Sequence, residues 1–446
     1  MRIYLKPKQF LYFFCVFFFY NGHAQQKTSK PNIIYIMADD MGYADLSCYG
    51  RKDYQTPNLD KLASQGVKFT NAYAAAPVCT PTRVAFMTGR FPARTPVGLY
   101  EPITMNDSVG LLPAYTSLPA LLKKAGYETY LVGKWHLGFK PNSSPLKNGF
   151  DEFFGFKGGA IDYISHTDAQ GNGDLFENDH TVVRQGYMTN LLMDKTIEIL
   201  KRKHSKPFFI SLMFNAPHWP WQAPGDKPYP ASDTAKDAME WTMGGSPETY
   251  AAMMKSMDDA VGKIIQTLDE QSLSANTVVI FTSDNGGERF SDNSPYKDRK
   301  MSLWEGGIRE PAFVRWPGKI KEHSITNQVV TTMDWTATIL SLAGGKPDPN
   351  FPLDGMDLSQ ILTGKKKEVD RALYWRIFQR KQSKAMRDGK WKWLQDEKGN
   401  EYLFDLNVDP AENNNLKDQH KDIFQKLRNK HQKWEATMLK PITVGA

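Results

Sequence analysis

Cysteine is nearly missing from this chain: of 446 residues only Cys15, Cys48 and Cys79 carry a thiol, which excludes a disulfide-stapled scaffold. Long apolar runs are equally scarce. The single candidate, FLYFFCVFFFY from Phe10 to Tyr20, is shorter than the roughly 20 residues a bilayer-spanning helix needs, so a multi-span membrane protein is not expected. The chain shows no basic helix, RNA-binding signature, internal repeat or low-complexity tract, and no nucleic-acid partner is expected. What remains is a globular composition, 41% hydrophobic and 24% charged, long enough for a large domain and a smaller one.

Arg2, Lys6 and Lys8 precede the apolar run, and NGHAQQ offers a small-residue cleavage point after Ala24. Residues 1–24 therefore read as a signal peptide, and the mature protein is expected to be secreted or periplasmic, with no membrane attachment after cleavage. An uncleaved anchor, or a lipid on Cys15, fits the short run and its bulky neighbours less well. The formal charge of +7 falls to +4 once those three cations leave, a mild excess suited to a small anionic substrate. Cleavage also leaves two cysteines, Cys48 and Cys79. One bridge would add little to so large a core, and the surroundings of Cys79 point instead to chemistry.

Four apolar runs of strand length each end in reactive residues. NIIYIMADD delivers Asp39 and Asp40, YETYLVGKWH delivers Lys134 and His136, PFFISLMFNAPH delivers His218, and TVVIFTSDNGG delivers Asp284 and Asn285. Unbroken apolar runs predict strands covered on both faces. Helical patterns lie between them: one opens at Thr56 and Pro57 and stops at Gly66, and longer ones run through RQGYMTNLLMDKTIEILKRKH and PETYAAMMKSMDDAVGKIIQTLDEQ. The alternation predicts an α/β fold with a large, mostly parallel mixed sheet flanked by helices. Ligands of such sheets bind beyond the carboxyl ends of the strands, where all four polar clusters fall.

Near residue 345 turn formers take over, and the tail from about Arg371 becomes basic and shorter in period. KWKWLQ and EYLFDL read as a hairpin closed at DEKGN, followed by a polar helix through HKDIFQKLRNKHQKWEATM. The expected organisation is a catalytic domain over 25–370 and a small α+β domain over 371–446.

Thr80 and Pro81 predict an N-cap and a first helical residue, which would leave Cys79 at a helix N-terminus where free N–H groups favour an anion. Here CTPTRVAFMTGR, Cys79 to Arg90, closely resembles the CxPxR-x4-TG signature of the type I sulfatases, the formylglycine-dependent arylsulfatase family of the alkaline-phosphatase-like superfamily. ADDMGY, GKWHLG, APHWP, SDNGG and KMSLWEGGIREP follow the family's other motifs, so the resemblance covers nearly the whole mature chain. Thr82, where serine is commoner, and the bulky residues after Lys300 are its departures.

The resemblance implies hydrolysis of sulfate monoesters, with sugar sulfates favoured over simple phenol sulfates because of the tryptophans near the motifs. It implies that a maturase oxidises Cys79 to Cα-formylglycine before folding, and that one of the two hydroxyls of the hydrated aldehyde attacks sulfur while the other later expels sulfate. Asp39, Asp40, Asp284 and Asn285 offer only oxygen, which suits a hard cation. By resemblance this is one calcium ion, completed by residue 79. Arg83 matches the arginine that steadies the aldehyde, Lys134 and Lys300 the lysines on the sulfate, His218 the histidine near the ester oxygen, and His136 the base that triggers sulfate release.

Polar-aromatic stretches around this core are expected to set specificity: Asp162, Tyr163 and His166, then Trp219 and Trp221, then Tyr100 and Glu101. Two rivals stand beside this reading. A phosphoric or phosphonic monoester hydrolase would share the fold, although a two-metal phosphatase needs additional Asp and His ligands, and the histidines left after cleavage do not cluster that way. A sulfated-glycan binding protein without turnover is the second, and the intact Cys79, Arg83, Lys134, His136 and His218 speak against it.

Overall fold

The computed structural model describes residues 1–4, 30–105, 107–231, 234–379 and 381–442, so the leader expected at 1–24 lies almost wholly outside the described residues. In chain order the strands are β1 (Asn32–Ala38), β2 (Val67–Tyr73), β3 (Glu128–Lys134), β4 (Glu152–Phe156), β5 (Leu175–Glu177), β6 (His180–Thr181), β7 (Phe208–Met213), β8 (Thr277–Ser283), β9 (Arg309–Arg315), β10 (Ser324–Thr326), β11 (Val330–Thr331), β12 (Ala372–Ile377), β13 (Ser383–Asp388), β14 (Trp391–Gln395) and β15 (Glu401–Asp405). The helices are α1 (Pro57–Ser64), α2 (Cys79–Thr88), α3 (Leu118–Lys124), α4 (Met188–Leu200), α5 (Ala235–Met243), α6 (Pro247–Glu270), α7 (Glu305–Ile308), α8 (Thr332–Leu342), α9 (Ser359–Leu362) and α10 (Lys421–Glu435).

The four apolar runs form β8, β1, β7 and β3, which are adjacent and parallel. That single fact brings the four reactive strand ends to one edge of the sheet. The full order is β10-β2-β9-β8-β1-β7-β3-β4-β5-β6, with β11 beside β2, and β9, β5 and β6 run antiparallel to their neighbours. Every residue of β1 is buried because helices cover both faces. Ile34, Ile36 and Ala38 enter the core shared with α4 and α6, while Ile33, Tyr35 and Met37 enter the one shared with α2, α3 and α8. α1 starts at Pro57, and Leu59, Leu62 and Ala63 are its buried face.

β12 to β15 form a separate antiparallel sheet, crossed by α10 through Leu427 and His431. This second sheet braces the site: Trp375 Nε1 donates to the Ala74 carbonyl at 2.8 Å, and Leu373, Trp375 and Leu394 share a buried cluster with Val78 and Cys79. Among the described residues no helix is long and apolar enough to cross a membrane.

Candidate active site

α2 begins at Cys79 itself, after an extended Val78, rather than at Pro81. A proline in the first helical turn gives up only an N–H that has no partner there, so the helix can run through Pro81. Thr80 does not cap it. Its hydroxyl donates to the His136 carbonyl at 3.2 Å and accepts from the Ile103 N–H at 3.3 Å, tying α2 to two loops of the cleft. Thr82 donates to the Ala76 carbonyl and accepts from the Ala76 N–H, fixing the bend that enters the helix.

Around Cys79 the strand ends form a layered charge network. After β1, Asp39 Oδ2 accepts from Lys134 Nζ at 2.7 Å, and Asp40 Oδ2 accepts from Lys300 Nζ at 2.6 Å. After β8, Asp284 takes both Arg83 Nε and Nη2, at 3.2 and 2.9 Å, and its other oxygen accepts the Asp40 N–H. Asn285 Nδ2 donates to Asp40 Oδ1 at 2.7 Å. His218, after β7, lies with Nε2 3.3 Å from Lys300 Nζ and 3.4 Å from Asp40 Oδ2. All these groups are buried except Lys300, which is partly so.

Burial and the adjacent Asp39 raise the Asp284 carboxyl to about 6, against the pull of Arg83 and Lys134. Burial likewise raises the Cys79 thiol despite Lys134 and Lys300, so its sulfur is held as a neutral thiol. His136 and His218 are both held well below the usual histidine range, first by burial and then by neighbouring cations, and are neutral at physiological pH. Lys300 moves the other way because Asp40 and Glu288 outweigh its desolvation, and it stays charged.

Hydrogen bonding assigns tautomers. His218 Nδ1 lies 2.6 Å from the Trp219 carbonyl and carries the proton there, which leaves Nε2 as an acceptor facing Lys300. His136 Nε2 donates to the Ile103 carbonyl at 3.1 Å, leaving Nδ1 as a buried lone pair with no partner. Gly159 keeps that ring in place, since a Cβ there would sit 2.8 Å from His136 Cε1. Asp40, His136 and Met301 have φ of 61°, 50° and 68°, the left-handed region that costs a non-glycine residue roughly 1–2 kcal/mol, so conformational strain gathers at the cleft.

The acid and amide quartet fits a hard cation. Asp39 Oδ1 and Asn285 Oδ1 are buried with no hydrogen-bond partner, although Arg83 Nη2 lies 3.3 Å from the former outside bonding alignment. Buried acceptors left without donors are what an oxygen-seeking ion would complete. Asp39, Asp40 and His218 also offer atoms within 4.8 Å of one another, which places His218 beside the quartet.

The cleft outside this network has a volume of about 400 Å³ and reaches Cys79, His136, His218 and Lys300. Trp219 lines it; Lys134, Asp162, His166 and Trp221 do not. Asp162 accepts from the N–H groups of Ile164, Ser165 and Tyr229 and from Gln222 Nε2, so its oxygens are spent on bracing the loop. His166 is buried against the Gly186 carbonyl, and Trp221 packs edge-on to Phe290. Tyr163 donates to the Asn215 and His218 carbonyls from below, and Glu101 accepts from the Phe378 and Gln379 N–H groups of the second sheet's edge. Among the lining residues that the sequence does not single out are Trp241 on α5 and Glu288 just past SDNGG. The glycine pair of that motif was a signal of close approach: Gly286 packs against Gly306 of the EGG turn, where a Cβ would meet the carbonyl at 1.9 Å.

A family model described as Sulfatase matches residues 31–345, and a second, N-sulphoglucosamine sulphohydrolase, C-terminal, matches residues 294–437. The chain belongs to the sulfatase family, a family of sulfuric ester hydrolases, and its architecture is the alkaline-phosphatase-like fold. It is similar to N-acetylgalactosamine-6-sulfatase of Rattus norvegicus, 36% identical over 355 residues, which cover 74% of this chain and 65% of that protein. It is also similar to the crystal structure of Ps i-CgsB in complex with k-i-k-neocarrahexaose, at 31% identity and a TM-score of 0.83, covering 94% of this chain and 95% of that one. Phosphonate monoester hydrolase of Agrobacterium radiobacter shares the fold at 21% identity and a TM-score of 0.64, over 91% and 95% of the two chains.

Proposed function

We propose that this protein hydrolyses sulfate monoesters on sulfated carbohydrates, with a formylglycine made from Cys79 as its nucleophile and one calcium ion as its cofactor. The observation that carries the reading is the convergence of a helix-initial cysteine, Lys300 and two neutral imidazoles on one cleft, directly above a buried network of Arg83, Lys134 and an oxygen-only quartet. Asp39, Asp40, Asp284 and Asn285 would hold the calcium, which supplies positive charge for the nucleophile and a sulfate oxygen.

The chain's own residues divide the remaining work. Lys300, held cationic beside Asp40, and Lys134 beside Asp39 hold the sulfate oxygens and offset charge as the ester bond breaks. His218 accepts from Lys300 through Nε2 and so orients that ammonium beside the leaving oxygen, where its charge offsets the one that develops there. His136, with Nδ1 free, takes a proton from the nucleophilic residue and drives sulfate release. Arg83 fixes Asp284 through two N–H groups and so sets the floor of the site.

Relatives that act on sulfated sugars, and the tryptophan on the cleft wall, support a carbohydrate leaving group. The leader-like sequence supports export to the periplasm or beyond, with maturation of Cys79 before folding. The test is release of inorganic sulfate from a panel of sulfated galactans and glycosaminoglycan oligosaccharides, using protein from a host that expresses a maturase. Sulfate release is expected from at least one sugar; binding without release, with Cys79 converted, would favour a lectin-like protein instead.

A further inference from the structure

The wall of the cleft is poor in positive charge once the network beneath it is accounted for. Among the described residues lining it, Lys300 is the cation, and its ammonium is already held by Asp40 at 2.6 Å. Asp168 and Glu288 are anions on the same wall. Asp168 is used by its own loop, accepting from the Gln170 and Asn172 N–H groups and from Asn172 Nδ2. Glu288 is different: it is half-buried, its charge acts on Lys300, and its Oε2 has no hydrogen-bond partner. Much of the rest of the wall is apolar or aromatic, including Ile103, Met105, Phe139, and Trp219 and Trp241, whose rings meet edge to face at 5.7 Å, and its other polar side chains, Thr104, Gln170 and Thr242, carry no charge. Such surfaces take the C–H face of a sugar ring and provide nothing to neutralise a second anion.

We infer that Glu288 is the specificity-determining residue of this cleft: it accepts a hydrogen bond from a hydroxyl or N–H beside the sulfated position and repels a carboxylate or second sulfate there. The substrate class is then a sugar sulfate whose neighbouring substituents are uncharged. An under-partnered carboxylate gains from a donor and loses with an anion, and buried polar groups discriminate more steeply than apolar contacts do. This inference rests on the sulfatase reading above.

The experiment compares kcat/KM of matured wild-type and E288Q protein on galactose 2-, 4- and 6-sulfates, on the corresponding disulfated galactoses, and on 4-nitrophenyl sulfate. Wild-type protein should prefer the best monosulfate over its disulfated counterpart by at least tenfold, and E288Q should shrink that preference at least fivefold. E288A should lower the ratio of sugar to 4-nitrophenyl sulfate turnover by tenfold or more. A wild-type preference for disulfated sugars, or one left unchanged in E288Q, would overturn the inference while leaving the enzyme a sulfatase. Failure of matured wild-type protein to release sulfate from every substrate, the aryl ester included, would remove the sulfatase reading and this inference with it.

Discussion

At the scale of single residues, the site works by assigning a fixed charge to each group. Two carboxylates are each tied to one lysine, a third is raised to about 6, and both histidines are kept neutral by burial. His136 is the clearest case, because one nitrogen is committed to Ile103 and the other is bare. His136→Ala should leave the first half of turnover intact and slow the second. Rapid-quench measurement on an activated aryl sulfate is expected to show a burst of one equivalent of phenol, then a steady state slower by about 10²–10⁴-fold. A variant with no burst and an unchanged steady state would remove the base role. Much of this residue layer was legible because the strand-end motifs carry polar side chains that an all-apolar strand has no structural need for. Asp162, His166 and Trp221 misled because a polar-aromatic loop has the same composition whether its side chains turn outward to a ligand or inward to brace the backbone. Glu288 left no periodic or motif signal; only its surroundings in space single it out.

Among the elements, the parallel quartet β8-β1-β7-β3 was legible in four apolar runs, and the hairpin β14–β15 in its alternation. α5 was not, because Trp241 is its single buried residue among those described and one buried position makes no period. The start of α2 was read two residues late because a threonine before a proline is a strong capping pattern, and nothing local reveals that Thr80 has a better partner in the His136 carbonyl. α10 yields a prediction. His431 docks it through Nε2 to the Trp375 carbonyl, and burial among Trp393, Trp434 and Tyr374 lowers its pKa to about 4. An unfolded histidine takes up a proton below about 6.5. Between these values the unfolded chain binds more protons, so stability falls as pH drops from about 6.5 toward 4. Thermal melts from pH 7 to 4.5 should show Tm falling more steeply for wild-type protein than for His431→Gln, once both are normalised to pH 7. Parallel curves would mean that His431 does not titrate on unfolding.

On the scale of the whole molecule, the two sheets are joined by a buried ionic cluster. Lys392 of β14 pairs with Glu305 at 2.9 Å and Glu412 at 2.8 Å, while Arg309 and the Tyr73 hydroxyl also reach Glu305. Glu305 opens the EGG turn that packs on Gly286, so the same cluster supports the loop that carries Asp284 and Asn285. Lys392→Met would leave two buried carboxylates short of their shared counter-charge, a loss of about 3–5 kcal/mol. Urea denaturation should show that loss as a lower midpoint. A midpoint within error of wild type would mean that the ionic cluster adds nothing to the hold on the second sheet. None of this was legible from the chain, because Lys392 and Glu412 look like solvent-exposed charges until the sheets are brought together.

The central claim is that Cys79 becomes the nucleophile of a sulfatase, and tandem mass spectrometry of the tryptic peptide from Phe69 to Arg83 tests it most directly. In protein from a host with an active maturase, the account predicts loss of the thiol and an aldehyde or its hydrate at position 79. An unmodified or disulfide-bonded Cys79 under those conditions would contradict it.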